Sequence, residues 1–311
     1  MNADAPMQLR ELEALEASRQ LQTIVQLARD ASIELNVQDL KDLDASRALL
    51  PHGKRVYISH LPKQRWEETW VACQRVYSAG FDPIPHIPVR LIESEAVLDR
   101  ILDRTASAQV KEVLLISGDY PNPAGPYSTV ADVLRAGKLH QHGLKRVSFA
   151  GHPEGHPTVP LAEIRRAEFE KAAMSEQLGL ETTFVTQFFF EAPPFIGWAN
   201  ELRTLGIGKA RLIAGLSGPA GLATLLKFAR RCGVGPSIRA LMTRPSAFAK
   251  LLGEHGPEEV VRDLAGAYEA DASTFTGLHF FCFGGYLHTC EWLNKVAAGQ
   301  IRLSEHGFSV E

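Results

Sequence analysis

The feature that most limits what this chain can fold into is an eightfold alternation of short apolar, β-rich runs with longer amphipathic stretches. The runs are Ser32–Asn36, Arg55–His60, Pro83–Val89, Val113–Asp119, Arg146–His152, Thr183–Phe188, Arg211–Ser217 and Leu278–Phe283. Most are apolar at successive rather than alternate positions, the pattern of parallel strands covered on both faces. Between them lie helical patterns over Trp66–Ala79, Glu93–Arg104, Ser128–Gln141, Leu161–Gln177, Pro194–Leu205 and Gly221–Cys232. Two more, Ser246–Leu252 and Pro257–Ala270, fall between the last two runs and imply an inserted helix there. Right-handed strand–helix–strand units repeated eight times close into a barrel, whereas an open sheet usually stops at about five or six strands.

The expectation is therefore an α/β protein with a single (β/α)8 barrel of the TIM type over residues 31–300 and a tail over 301–311. The 311 residues exceed the roughly 250 such a barrel needs. Ahead of the first run, Leu9, Leu12, Leu15, Leu21, Ile24, Val25 and Ala28 share one helical face. This extra N-terminal helix, residues 1–30, either closes the barrel floor or packs on a second copy of the chain, so a homo-oligomer is an open expectation.

Composition removes several classes of function. A formal net charge of −3, with no cluster of Lys and Arg interleaved with aromatics, disfavours nucleic-acid binding. No apolar stretch approaches the ~20 residues that span a bilayer, so no membrane partner is expected. The N-terminus has neither the basic region nor the apolar core of a leader peptide. Cys73, Cys232, Cys282 and Cys290 sit in apolar or helical stretches without metal spacing, which points to a reducing, cytoplasmic setting.

In a β/α barrel the reacting groups sit at the carboxyl ends of the strands, while the opposite rim serves stability. That rule selects Glu34, Ser59, His60, His86, Asp119, His152, Gln187, the loop Gly215–Gly218 and the stretch after Phe283. Glu34 interrupts an apolar strand. A carboxyl desolvated there is expected to have a raised pKa and to donate a proton; the other reading is a strand end facing water. Ser117, Gly118 and Asp119 open a loop in which the glycine lets a flat ligand approach and the aspartate accepts hydrogen bonds, or they form an ordinary turn.

His152 and His156 flank Pro153, Glu154 and Gly155. The prolines forbid the regular helix that would aim both imidazoles at a zinc ion, so no metal is expected, and a loop contacting a cofactor fits better. Gln187 offers a heterocycle both donors and acceptors, and Phe188, Phe189 and Phe190 after it supply stacking faces or core. The glycines around Ser217 lack the lysine of a phosphate-binding loop and the spacing of a dinucleotide fingerprint.

In order and separation these strand ends resemble the methylenetetrahydrofolate reductase family. The matching segments are Pro85-His86, Gly118-Asp119, His152-Pro153-Glu154-Gly155-His156-Pro157, Thr186-Gln187-Phe188-Phe189-Phe190 and Leu278-His279-Phe280-Phe281, spread from about residue 30 to residue 295. The resemblance implies an enzyme that passes hydride from NADH or NADPH, through FAD, to a tetrahydrofolate derivative as substrate. It implies Glu34 as the general acid for opening the imidazolidine ring, Asp119 near flavin and pterin, and Gln187 on the folate. Ser59, His60, His86, Ser117, Gly118, Asp119, Ala150, His152, His156 and Lys171 would surround the flavin. Phe189, Leu222 and Phe281 would join Gln187 around the substrate.

The chain departs from the family's pattern in four places. The Phe-Glu-Phe of the first strand is Ile33-Glu34-Leu35, the arginine before Gly-Asp is Ser117, a stacking phenylalanine is Leu222, and the arginine or asparagine after the last strand is Gly284-Gly285. Losing an arginine weakens contacts to a diphosphate. This keeps open direct, flavin-free transfer of hydride to the folate, and a folate- or flavin-binding barrel that serves as a subunit of a methyl-transfer system.

Overall fold

Each of the eight apolar runs is a strand in the computed structural model, which describes residues 5–118, 120–232 and 254–311. In chain order the strands are β1 (Ser32–Leu35), β2 (Arg55–Ile58), β3 (Asp82–Pro88), β4 (Glu112–Ile116), β5 (Arg146–Gly151), β6 (Glu181–Thr186) and β7 (Arg211–Ser217), then the short β8 (Ala220–Gly221) and β9 (Glu254–His255), and finally β10 (Gly277–Phe281). Strands β1 to β7 and β10 form one closed parallel barrel. The seam joins the first strand to the last, with Ser32 opposite His279 and Ile33 opposite Phe280. The remaining pair, β8 and β9, is a small antiparallel sheet beside the mouth.

Side-chain alternation divides the core into two parts. Ile33, Val56, Val113, Phe149, Phe184 and Leu278 face the helical layer, where they join its apolar faces in one continuous cluster. Tyr57, Ile84, Leu114, Val185 and Ile213 point inward and fill the middle of the barrel. The barrel is thus plugged at mid-height by side chains, and only its two ends are polar.

The helices are α1 (Ala5–Asp30), the short α2 (Leu43–Ser46), α3 (Trp66–Ser78), α4 (Glu95–Ser107), α5 (Val130–Arg135), α6 (Lys138–Gln141), α7 (Leu161–Gln177), α8 (Ala192–Thr204), α9 (Leu222–Cys232), α10 (Glu258–Ala270) and α11 (Tyr286–Ala297). The expected helix over Ser128–Gln141 is broken into α5 and α6 by Gly137, whose φ of +67° is left-handed. The expected helix Ser246–Leu252 lies outside the described residues.

Helix α11 was not among the expected elements, although its buried Tyr286, Thr289, Cys290, Leu293 and Val296 keep helical spacing. The segment read as a tail is a hairpin, β11 (Ile301–Ser304) with β12 (Gly307–Val310), whose Phe308 ring stacks 6.3 Å from Trp292. Among the described residues no helix is long and apolar enough to cross a membrane.

The leader helix α1 packs along α10 and α11. Ile24, Leu27 and Ala28 are buried there, Arg29 Nε donates to the Ala297 carbonyl at 2.9 Å, and Arg262 Nε donates to Gln20 Oε1 at 2.9 Å. Its carboxyl end is held by Lys54, whose Nζ donates to the carbonyls of Arg29 at 2.6 Å and Ala31 at 2.9 Å. Burial lowers the Lys54 pKa to about 8.

Candidate active site

Four side chains from four strands or their ends meet just above the plug. Ser59 Oγ donates to Glu34 Oε1 at 2.8 Å. His86 Nε2 lies 3.7 Å and His279 Nε2 3.9 Å from Glu34 Oε2. These side chains are 20%, 12% and 1% exposed for Glu34, His86 and His279, so the carboxyl opens to the mouth while the imidazoles wall it in. They come together because Glu34, Ser59, His86 and His279 all occupy inward-facing positions near the carboxyl ends of their strands.

The orientation of His279 is set from behind. Its Nδ1 lies 3.0 Å from Ser32 Oγ. If the hydroxyl donates to Nδ1, the proton sits on Nε2 and faces the carboxylate; the opposite tautomer would aim a lone pair at it, so the first is assigned. Tyr57 packs edge-on against both His279, at 4.8 Å between centroids, and His86, at 6.2 Å. His86 Nε2 is buried, makes no hydrogen bond and faces Glu34 Oε2.

The sequence reading of Glu34 is corrected on one point. Burial pushes its carboxyl up, but the facing His279 imidazole, the field of His86 and His279, and the Ser59 hydroxyl outweigh it, and the pKa is held below the ordinary value. Both imidazoles are pushed down by burial against the pull of Glu34. The resting group is therefore a carboxylate between two neutral histidines, rather than a neutral acid.

An aromatic wall adjoins this polar group, with Phe281 packed edge-on against His279 at 4.7 Å. Phe188 packs edge-on against Phe281 at 6.2 Å and Phe283 at 4.9 Å, and Phe283 stacks on Phe281 at 5.5 Å and on Phe228 at 4.1 Å. Gln187, half-buried, follows β6 next to this wall, with its backbone N–H donating to the Gly151 carbonyl at 3.0 Å. Gly215 lets strands β6 and β7 approach closely: its N–H donates to Thr186 Oγ1 at 2.8 Å, and a Cβ there would meet the Thr186 carbonyl oxygen.

Other expected site residues fall elsewhere. Ala150 is inward on β5 above Ser148. Ser117 and Gly118 end β4, where Gly118 has φ +84°. Asp119 lies outside the described residues. His60 points to the helical layer, stacked on Trp66 at 4.3 Å with Nδ1 2.8 Å from Thr69 Oγ1, because residues alternate and Ser59 takes the inward place. Phe189 likewise packs outward, stacked on Phe195 at 5.2 Å. Leu222 is buried at the start of α9.

His152, His156 and Lys171 form a second group. Glu168 gathers it: Oε1 accepts from the His152 backbone N–H at 3.1 Å, Oε2 from Trp198 Nε1 at 3.2 Å and from Arg165 Nη1 at 3.1 Å. The Lys171 ammonium lies 5.4 Å and 5.7 Å over the rings of Phe149 and Phe184, on the outer side of the barrel, so it is not brought to Glu34. Burial lowers its pKa to about 8 and that of His152 to about 3. His156 is exposed, its Nδ1 accepting from the Thr158 backbone at 3.3 Å.

The closed sheet defines the fold. It is a (β/α)8 barrel. No family model matches the chain. Among solved structures, the chain is similar to a fusion of a xylose isomerase-like TIM barrel with 4-hydroxyphenylpyruvate dioxygenase, at 15% identity and TM-score 0.45, over 86% of this chain and 42% of that one. It is also similar to a xylose isomerase-like TIM barrel protein from Mycobacterium smegmatis in complex with magnesium, at 12% identity and TM-score 0.43, over 86% and 96%. A conserved Enterococcus faecalis protein of unknown function matches at 13% identity and TM-score 0.44, over 88% and 69%.

Four side chains were absent from the expected site. His279 was visible as a polar residue in the apolar run Leu278–Phe283 and within the segment that carries the family resemblance, Phe283 only as an aromatic two positions beyond Phe281, Phe228 only as an apolar position of a helical stretch, and Ser32 only as the start of the first run. The period-two rule alone would have placed His279 and Phe281 on one face.

Proposed function

We propose that this chain is a reductase of the methylenetetrahydrofolate type, which moves a hydride onto the one-carbon unit of a tetrahydrofolate derivative. The observation that carries this reading is the meeting of Glu34, Ser59, His86 and His279 in one half-buried group that adjoins a wall of phenylalanines. A flat pterin laid against the phenylalanines would have Glu34 at one edge and the Gln187 amide offering a donor and an acceptor at another.

The chemistry asks one proton of the protein. As the pterin covers Glu34, it removes the water that helps hold the charge, and the carboxyl gains a proton. That proton passes to the amine nitrogen as its bond to the methylene carbon breaks, leaving a methylene iminium on the other nitrogen. Hydride adds to the carbon, its electron pair neutralises the cation, and a methyl group results. His279 and His86 hold the carboxyl in place, and the phenylalanines exclude water from the cationic stage.

FAD, when bound, would relay the hydride from NADH or NADPH. Its ring is suited by the inward, half-buried Ser59, His86 and Ala150. The diphosphate is less well met: Lys171 lies over two aromatic rings, and Arg165 is held by Glu168 and by Glu201, at 2.8 Å. Those engagements favour a second reading, direct transfer from nicotinamide to folate.

Anaerobic turnover with each nicotinamide, with and without added FAD, tests both. Glu34→Gln is expected to lower kcat about 100-fold or more while leaving folate binding intact. Unchanged nicotinamide oxidation in Glu34→Gln, or none in the parent under every condition, would overturn the proposal.

A further inference from the structure

One side chain in the barrel's plug differs in kind from its neighbours. Tyr57 lies inward with the aliphatic Ile84, Leu114, Val185 and Ile213 and is fully buried. A phenol hydroxyl in that place costs free energy unless it is hydrogen-bonded. Its partner is Ser148 Oγ on β5, at 3.2 Å. Ser148 gives its own proton to Glu112 Oε1, so the Tyr57 hydroxyl donates and Ser148 accepts. Glu112, the first residue of β4, is buried and is balanced in turn by Arg146 Nε, 3.2 Å from its Oε2. The phenol end of Tyr57 is thus moored to an ion pair at the barrel floor.

The same ring meets the group at the mouth. Tyr57 is opposite Glu34 in the pairing of β1 with β2, and it packs edge-on against His279 and His86, the two imidazoles that present Nε2 to Glu34 Oε2. Those imidazoles differ in their support. His279 is held at Nδ1 by Ser32, whereas His86 makes no side-chain hydrogen bond among the described residues. The orientation of His86 therefore depends on what it packs against, and Tyr57 is the aromatic ring it meets. The field of His86 is in turn one of the influences that hold the Glu34 carboxyl ionised.

We infer that Tyr57 is a positioning residue: moored at the floor through Ser148 and Glu112, its ring holds the imidazoles of His86 and His279 against the Glu34 carboxyl. An aliphatic residue would fill the layer as Ile84 and Leu114 do, but it would have no tether and would leave His86 free to turn. The hydrogen-bonded chain at the floor and the polar group at the mouth are then coupled through one side chain. Ser148 is neutral and its hydrogen bonds go to Tyr57 and Glu112, so any influence it has on Glu34 passes through that ring. The titratable groups that face Glu34 are His86 from β3 and His279 from β10, with Asp39 and Cys282 in electrostatic reach. This arrangement belongs to the resting protein and is independent of the reaction proposed for Glu34.

Carbon-13 NMR of the Glu34 carboxyl, followed against pH in the purified full-length chain without ligand, reads the coupling directly. It needs no turnover, so it stays informative if the reductase reading fails. Loss of the tether removes part of what stabilises the carboxylate and leaves the burial, so the Glu34 pKa is expected to rise by about half a pH unit or more in Tyr57→Phe and in Ser148→Ala. The nitrogen-15 ring signals of His86 are expected to shift in both variants, and those of His279, still held by Ser32, to shift less. Ile213→Val removes one methylene from the same layer without touching the tether, and is expected to leave Glu34 as in the parent. Tyr57→Phe removes a single oxygen and keeps the test available if Ser148→Ala, which strands the phenol, does not fold. An unchanged Glu34 pKa in either folded variant, or an equal rise in Ile213→Val, would overturn the assignment.

Discussion

A carboxyl group buried next to two imidazoles is governed by its neighbours more than by its burial, and Glu34 illustrates this. The desolvation expected from an acidic residue in an apolar strand is real, but His279, His86 and Ser59 reverse its sign. His279 is itself positioned by Ser32 across the barrel seam. Replacing His279 with Ala removes the main stabiliser of the charge and leaves the burial, so the Glu34 pKa should rise. In the reductase reading Glu34 acts protonated, and the descending limb of the kcat/KM profile is then expected to move to higher pH in His279→Ala. A limb that stays in place would show that His279 does not act through Glu34. Glu34 was legible as a candidate because a lone charge interrupts apolar residues; its ionisation state was not, because that depends on residues 25, 52 and 245 positions away.

Among the elements, those whose apolar spacing was regular were found from sequence at nearly their full length, and those tied by single contacts were not. Helices α3, α7, α8 and α10 occupy their expected places, whereas α5 and α6 were read as one because a lone glycine in a helical pattern is usually tolerated. The leader helix shows how an element's place can rest on one side chain. Its last carbonyls have no helical partner, and Lys54, from the start of the neighbouring strand, satisfies two of the carbonyls at this junction. Lys54→Met keeps the length of the side chain and loses both bonds. It is expected to destabilise the protein by about 1–3 kcal/mol in urea titrations, because stranded carbonyls outweigh the relief of a buried ammonium. Equal stability would show that water reaches these carbonyls.

At the scale of the whole molecule, the barrel was legible because eight both-faces-apolar strands have few other solutions, while the detailed composition of the mouth was not. Alternation assigned Ser59 inward and His60 outward only once strand ends were known to within one residue, and the same one-residue uncertainty misplaced Phe189. Four histidines now buried neutral give the molecule a common response to acid. His60 is lowered to about 4 and His152 to about 3 by burial, and His86 and His279 are lowered as well. The unfolded chain therefore binds more protons below about pH 6.5, so stability is retained above that value and lost as pH falls toward the folded-state values. By about pH 5 the well-buried His60 alone accounts for up to about 2 kcal/mol. Urea midpoints measured from about pH 7 to pH 5 should fall steadily, and His60→Gln should flatten part of that slope; a level profile would contradict the buried, neutral assignment.

The pairing of Ser32 with His279 carries a consequence for biosynthesis. The first strand leaves the ribosome with its partner still untranslated, and at about 5–20 residues per second it waits on the order of 10–50 s. Throughout that interval β1 is an open sheet edge, the kind of surface on which nascent chains aggregate. Folding of this protein in the cell is thus expected to depend on whatever shields that edge until the ring is complete.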